Sequence, residues 1–403
     1  MNVIEVSRSD GLETQPIEIV ERKGLGHPDT ITDNVVDALS VALNKEYLRK
    51  WEGIMHYNVD KGLLAAGSSR PAFSGGKIEK PMRMIFGDRA TTCIGGDCID
   101  LDSVVEETAR NWMKKNLRFV DPEKHLIVQN EIGRSAGNLS DIFRRGGGTF
   151  LGANDTSAGV GYAPMTRTEK LVLETEGFLN SPSFKESYPE TGEDIKVMAR
   201  RVKDSVDLTI SIAFVDRFVG NEVDYFRKKE EVRNRIEDFT RERSDLKDFK
   251  VTINNLDATG RGIDGLYLTV LGTSAESGDS GQVGRGNRVN GLFSLNRPSS
   301  SEASSGKNPV SHVGKIYNAM AFRVAEHLIH EVEGIEEAYF WLLSKIGQPV
   351  NEPALAAAYV VPKRPFNEHE IRGRVTKALE DALTENMFRT LIDQLVRGEV
   401  RLC

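Results

Sequence analysis

The sequence has few of the features that mark secreted or membrane proteins. Its three cysteines, Cys93, Cys98 and Cys403, form a sparse and odd-numbered set, which is typical of a reducing compartment. Cys93 and Cys98 could pair or hold a metal, but no second Cys/His pair follows at zinc spacing, so we expect both to be free thiols. No apolar run is long enough to span a bilayer, and the N-terminal segment lacks the basic-then-apolar pattern of a signal peptide. These absences predict a soluble, cytoplasmic protein without membrane contact.

Clusters of basic charge are missing as well. The net charge is −7, and lysine and arginine are spread along the chain, which gives no electrostatic case for a nucleic-acid partner. With 403 residues, the chain is long enough for roughly two to four domains of about 100–200 residues, each with its own core.

Apolar periodicity predicts an α+β fold. Strand–helix–strand–strand–helix groupings recur three times, which fits three similar β/α layers. We place their approximate bounds at residues 1–130, 131–255 and 256–403 and expect the layers to interleave. Helices are predicted at residues 32–50, 102–117, 165–179, 221–243, 310–332, 368–383 and 387–396. Strands are predicted at residues 54–67 (interrupted by a turn at 60–62), 82–86, 125–129, 206–214, 250–254, 266–271 and 337–346.

Residues 23–33 carry the clearest chemical signal, because glycines, a histidine and a carboxylate precede a helical pattern. Pro28 suits the first turn of that helix, and unpaired amides at a helix start favour anions. His27 beside Asp29, a ligand for hard cations, therefore predicts phosphate chemistry with magnesium. The alternative is that His27 only caps the helix and Asp29 only complements its dipole.

Two tracts rich in glycine and serine, residues 133–164 and 272–309, lack clear periodicity. Long stretches of this kind inside a compact protein are often functional loops. The second tract contains Asp279, Arg285 and Lys307, which suit a metal ligand and phosphate-binding cations. Neither tract matches the P-loop pattern. The alternative is two surface linkers with solvated charges.

Three further side chains are candidates. Lys196 follows two carboxylates ahead of an alternating strand. The alternative interpretation of this residue is an exposed lysine at a strand edge without a functional role. Arg261 lies between glycines after a strand. His312 lies at the start of a long helix beside the Lys307 loop, which favours it over the other histidines as a functional residue. His56 is predicted to be packed in the interior.

Together these segments resemble the methionine adenosyltransferases (S-adenosylmethionine synthetases), specifically their archaeal-type branch, over most of the chain. The segments that carry the resemblance, in order, are Gly26-His27-Pro28-Asp29 with Thr32-Asp33, Gly152-Ala153-Asn154-Asp155 with Gly161-Tyr162-Ala163-Pro164, Glu193-Asp194-Ile195-Lys196-Val197, Ala258-Thr259-Gly260-Arg261-Gly262, Gly278-Asp279-Ser280-Gly281 with Gly284-Arg285, and Ser305-Gly306-Lys307-Asn308-Pro309. The resemblance implies a homodimer of three-layered subunits with active sites in the dimer interface, and leaves tetramers open. It also implies synthesis of S-adenosyl-L-methionine (AdoMet) from ATP, L-methionine and water, with release of phosphate and diphosphate.

The resemblance further implies a role for individual residues. His27 would stabilise the departing O5′ of ATP, and Asp29 and Asp279 would bind Mg²⁺. The basic side chains that would grip the phosphate chain are Lys196, Arg285 and Lys307. The nucleotide contacts would be Gly133, Arg134, Ser135, Ala136, Gly137, Asn138, Asp155, Asp194, Arg261 and Lys307. Residues 133–149 would correspond to the family's mobile gate.

The chain departs from the commoner branch at several positions. His56 stands where that branch has a potassium-binding glutamate, which leaves a K⁺ requirement open. Ser68 and Ser69 replace a second glutamate, so the methionine subsite is unassigned. Two rival functions remain: a magnesium-dependent tripolyphosphatase or nucleoside triphosphatase, and a catalytically silent regulatory subunit.

Overall fold

The computed structural model describes residues 2–135, 143, 150–243 and 248–402. The helices in these ranges are α1 (Pro28–Trp51), α2 (Leu101–Asn116), α3 (Pro122–His125), α4 (Arg167–Leu179), α5 (Pro182–Ser187), α6 (Glu222–Arg243), α7 (Val313–Glu331), α8 (Glu368–Ala382) and α9 (Glu385–Arg397). Within the same ranges, no helix combines the length and apolar character needed to cross a bilayer.

The strands of the described ranges are β1 (Asn2–Val6), β2 (Ile17–Lys23), β3 (Tyr57–Ala65), β4 (Ser68–Arg70), β5 (Lys77–Lys80), β6 (Met82–Ala90), β7 (Cys93–Ile94), β8 (Asp97–Cys98), β9 (Leu126–Asn130), β10 (Gly133–Arg134), β11 (Ala158–Ala163), β12 (Thr191–Val202), β13 (Ser205–Val215), β14 (Asp248–Ile253), β15 (Leu268–Thr269), β16 (Gly281–Gln282), β17 (Phe293–Ser294), β18 (Ile335–Leu343) and β19 (Leu355–Pro362).

Three main sheets, each with its own apolar core, organise the chain, and the predicted α+β class is confirmed. One sheet has the order β1-β19-β18-β11, and its core includes α7, α8 and α9. A second has the order β10-β6-β3-β16 with β9 beside β6, and packs against α1 and α2. The third has the order β14-β13-β12-β2-β17 with β15 beside β13, and packs against α4 and α6. Each sheet combines strands that are distant in sequence.

Side-chain pattern explains the main packing contacts. In β13, the alternating residues Val206, Leu208, Ile210 and Ile212 are all fully buried, as a strand with one face on a core requires. Helix α7 lies close against β11 because that strand carries glycine at 159 and 161. A side-chain carbon at either position would overlap the α7 backbone.

Two local predictions are wrong. The turn predicted at residues 60–62 is absent, because β3 continues through these residues as one strand. The irregularity there is a bulge, at which the register against β6 shifts between Asn58 and Lys61. Cys93 and Cys98 are joined by a disulfide, since they lie opposite each other in the β7–β8 hairpin. The Gly95-Gly96 turn, with both φ angles positive, brings them together. With these two cysteines bonded, the cysteine content no longer supports the predicted reducing compartment. The third cysteine, Cys403, lies outside the described residues.

Candidate functional site

The loop between β2 and α1, which leads into His27, packs directly against β12. A side-chain carbon at Gly24 would lie 2.6 Å from the Ile195 carbonyl oxygen, and one at Gly26 would lie 2.5 Å from the Asp194 amide nitrogen. The Gly26 amide donates a hydrogen bond to the Glu193 carbonyl at 2.9 Å. Glycine is therefore needed at both positions for this close approach.

His27 is the N-cap of α1, and Pro28 is the first residue of the helix. The imidazole Nδ1 accepts a hydrogen bond from the Asp29 amide at 3.2 Å. Burial, with smaller contributions from Lys23 and Lys196, lowers the pKa of His27 to about 4 despite the opposing charge of Asp29. The neutral ring therefore carries its proton on Nε2 and is an uncharged donor near pH 7.

A cavity of about 490 Å³ contains four of the predicted site residues on its wall: His27, Asp194, Lys196 and Asp279. The buried Asp194 carboxylate accepts hydrogen bonds from the Ser274 amide at 2.8 Å and hydroxyl at 2.6 Å. Burial raises the pKa of Asp194 to about 6. Asp279 is exposed, and its Oδ2 lies 3.3 Å from the same hydroxyl. Histidine, lysine and two carboxylates thus share one cavity.

Lys196 lies on a central strand. Strand β12 pairs with both β13 and β2, so the alternative of a strand-edge lysine is wrong. Its ammonium lies 3.0 Å from Glu21 Oε2, and 39% of the side chain is exposed. The lysine therefore keeps a counter-ion while its charge remains accessible from the cavity.

The outer wall of the cavity is the segment after β14. Asn254 takes a left-handed conformation with φ 46°, and its side chain bonds both the amide and the carbonyl of Ile212. Asp257 accepts hydrogen bonds from Tyr225 at 2.7 Å and Lys229 at 2.8 Å, both on α6. Arg261 follows on this anchored segment with its side chain exposed.

Arg285 and Lys307 line a second cavity, of about 590 Å³. The ammonium of Lys307 forms an ion pair with Glu302 and lies 3.7 Å from Asp60 Oδ2. The segment from Gln282 to Arg285 lines this second cavity, and the Gln282 amide donates a hydrogen bond to Asp29 at 3.0 Å. One chain therefore divides the predicted phosphate-binding residues between two cavities.

Among the residues that the structure describes, the remaining predicted nucleotide contacts line neither cavity. Gly133 and Arg134 form β10 beside β6. The Ser135 hydroxyl lies 2.9 Å from His56 Nδ1, and His56 is buried, as predicted. Asp155 is exposed and accepts a hydrogen bond from the Thr156 amide at 2.7 Å. Ala136, Gly137 and Asn138 lie outside the described residues, as does most of the predicted gate.

The carboxylates fit a magnesium ion that is held mainly by a substrate. Among the described residues, no group of three or more His, Cys, Asp and Glu side chains is arranged to hold a metal. Mg²⁺ commonly takes one or two carboxylates and completes its shell with phosphate and water oxygens. Asp279 has free oxygen capacity, whereas Asp29 accepts from Lys23 at 2.9 Å and from the Gln282 amide at 3.0 Å. Asp279 is therefore the more available of the two predicted ligands.

Sequence reasoning missed several residues that shape these cavities, namely Asp60, Asp257, Tyr267, Ser274 and Glu302. It also missed Lys23, which lines neither cavity but pairs with Asp29 at 2.9 Å. Lys23 directly precedes the glycine loop, so its position was a usable signal. The others have ordinary sequence surroundings, and only the fold brings them to a cavity.

Comparison with known proteins gives one consistent result. A family model described as S-adenosylmethionine synthetase (AdoMet synthetase) matches residues 1–399. The chain is 47% identical over 370 residues to a probable S-adenosylmethionine synthase of Aquifex aeolicus, covering 91% of this chain and 92% of the relative. It is 40% identical over 399 residues to the S-adenosylmethionine synthase of Methanothermobacter thermautotrophicus, covering 99% and 98%. A solved S-adenosylmethionine synthetase structure from Campylobacter jejuni shares the fold, with a TM-score of 0.58, 15% identity and coverage of 96% and 95%.

Proposed function

The chain belongs to the S-adenosylmethionine synthetase family, and we propose that it synthesises AdoMet from ATP, L-methionine and water, with release of phosphate and diphosphate. The observation that carries the proposal is the neutral His27 ring at the start of α1, in a cavity shared with Lys196, Asp194 and Asp279. A leaving phosphate chain needs such donors and positive charge around it.

The first step is attack of the methionine sulfur on C5′ of ATP, which expels the triphosphate through O5′. Negative charge develops on O5′ as the C5′–O5′ bond breaks. Because Nδ1 of His27 is used by the Asp29 amide, the Nε2–H is the group that donates to O5′. The donor is uncharged over the neutral pH range, so its contribution does not depend on protonation of the ring.

The second step is hydrolysis of the bound triphosphate to phosphate and diphosphate. Lys196, Arg285 and Lys307 bind its oxygens in this proposal, since basic side chains match phosphate charge and geometry. Asp279 and Asp29 would hold Mg²⁺, which would supply further charge neutralisation at the phosphates. Lys23 would compete with the ion for the Asp29 carboxylate.

We also propose that the working unit is a homodimer with composite sites. In one chain, His27 and Lys307 line separate cavities, which supports a site in which each subunit supplies one of the two groups. Whether dimers pair into tetramers is a separate question, which sedimentation velocity answers.

The test is a product assay on purified protein with ATP, L-methionine and Mg²⁺, run with and without K⁺. AdoMet, phosphate and diphosphate in equal amounts are expected. Phosphate without AdoMet would instead identify a triphosphatase. If folded protein binds ATP but forms neither product, the chain would instead be a catalytically silent regulatory subunit. The K⁺ arm decides whether His56 has replaced the potassium requirement.

A further inference from the structure

The Lys307 side chain is buried in the second cavity with its charge already neutralised. Its side chain is 3% exposed, and its ammonium pairs with Glu302 and lies 3.7 Å from Asp60. A buried ammonium needs such counter-charges. A phosphate that binds Lys307 therefore competes with these carboxylates for its positive charge.

Glu302 is the carboxylate that can leave. Its side chain is 22% exposed, and its second oxygen accepts a hydrogen bond from the Ser157 hydroxyl at 2.8 Å. Asp60, in contrast, is fixed by Asn58 and Lys61. Burial acts to raise the pKa of Glu302, but the hydrogen bond and charge of Lys307 outweigh it and hold that pKa below its usual value. Glu302 is therefore an anion at neutral pH.

The pair lies against the first turn of α7, a helix of 19 residues. A side-chain carbon at Gly314 would lie 3.0 Å from both Lys307 Nζ and Glu302 Oε2. Glycine thus leaves room for a bulky anion at a helix start, where the helix dipole favours negative charge. A carboxylate and a phosphate accept the same hydrogen bonds in such a place.

His312 supplies an independent observation that points to a ligand. It is the N-cap of α7, and its Nδ1 accepts a hydrogen bond from the Gly314 amide at 3.2 Å. The residue is only 5% exposed, and burial, then Lys307, lowers its pKa to about 3 against the charges of Asp60 and Glu302. The neutral ring therefore carries its proton on Nε2, and no described residue accepts that proton. His27 at the start of α1 is built in the same way.

We propose that the Lys307 pocket is a phosphate subsite that Glu302 fills until a phosphate chain displaces it, and that His312 Nε2–H is its uncharged donor. The inference rests on the proposed function and extends it to two residues, Glu302 and His312. The exchange is a swap of non-covalent partners: the ammonium passes from a carboxylate oxygen to a phosphate oxygen. The ligand is the phosphate chain, either of ATP or of free triphosphate.

The experiment titrates the full-length chain with inorganic tripolyphosphate and, separately, with ATP, by calorimetry in Mg²⁺ buffer. Glu302→Gln keeps the size of the side chain and an acceptor for Ser157 but removes the competing charge. Both ligands are expected to bind roughly tenfold tighter, as a charge-assisted hydrogen bond predicts. Tightening of tripolyphosphate alone would place free triphosphate in the subsite, and tightening of ATP alone would place the nucleotide there.

Glu46→Gln is the matched control, because it removes the same charge from an exposed pair with Arg49. Its affinities should equal those of the wild type. If Glu302→Gln binds both ligands no tighter than Glu46→Gln, the displacement by phosphate is refuted.

His312→Asn tests the donor while it retains a good capping side chain. Affinity for tripolyphosphate should fall roughly tenfold, the effect of losing one hydrogen bond to a charged group, with the melting temperature within a few degrees of wild type. His312→Ser, with a different capping oxygen, should lose affinity to the same extent, whereas His369→Asn on an exposed turn should not. Unchanged affinity in His312→Asn would refute the donor role.

Failure of this inference and failure of the proposed function are distinguishable. Wild-type protein that makes AdoMet while Glu302→Gln binds no tighter would remove only the subsite proposal. Wild-type protein that makes no AdoMet while the variants shift tripolyphosphate affinity as expected would remove only the proposed function.

Discussion

Replacement of His27 by asparagine isolates the leaving-group donor from its capping role. Asparagine is among the best N-cap residues, so its side-chain oxygen can replace Nδ1 as acceptor for the Asp29 amide. The variant lacks the Nε2–H that would reach O5′. Loss of one donor to a developing oxyanion typically costs about 2.7–4 kcal/mol, or roughly 10²–10³-fold in rate. We expect a loss of that size in AdoMet formation.

Hydrolysis of added triphosphate breaks a different bond and develops no charge on O5′, so the same variant should lose less than about tenfold in that assay, or about 1.4 kcal/mol, the net worth of one ordinary hydrogen bond. Both rates are measured on one preparation, with the melting temperature as the folding control. Since the pKa of His27 is about 4, titration of this ring should not affect the rate between pH 6 and 8. The pH profiles of wild type and variant should therefore have the same shape in that range. Equal losses in the two assays would refute the assignment of His27 to the alkyl-transfer step.

Three further predictions follow from single contacts. Asp29→Asn should raise the Mg²⁺ concentration needed for half-maximal activity while the melting temperature changes little; a large fall in melting temperature would instead show a structural role. Burial raises the pKa of Glu276 from 4.5 to about 7, so stability should fall by about 3 kcal/mol as the pH rises from about 4.5 to about 7, where the unfolded chain has lost this proton and the folded chain still holds it. Glu276→Gln should therefore lose less stability than wild type between pH 5 and 8 in urea titrations, and equal losses would contradict this reasoning. Alkylation of unfolded, unreduced protein should modify Cys403 but neither Cys93 nor Cys98, and labelling of all three would contradict the disulfide.

The local features of the fold could be predicted because their signals are local. The alternation from Val206 to Phe214 gave β13, and the Pro28 signal gave the start of α1. The wrong turn at residues 60–62 also came from local composition. Its bulge depends on pairing with β6, which lies about 25 residues further along and which no single-segment pattern reveals.

The site could be predicted in part for the same reason. His27, Lys196 and Asp279 lie beside distinctive glycine or carboxylate patterns, and the fold brings them to one cavity. Glu302 lies in an ordinary serine-rich tract, and its importance depends on where Lys307 is buried. Asp257 likewise fixes the cavity wall only because the fold places Tyr225 and Lys229 of α6 within hydrogen-bond distance of its carboxylate.

The central claim is that intact triphosphate leaves in the same step that forms AdoMet. The most direct measurement is a single-turnover rapid-quench experiment with enzyme in excess over γ-labelled ATP, in the presence of L-methionine and Mg²⁺. We predict that labelled triphosphate appears together with AdoMet and that labelled phosphate follows. Labelled phosphate that appears before or without AdoMet would contradict the claim.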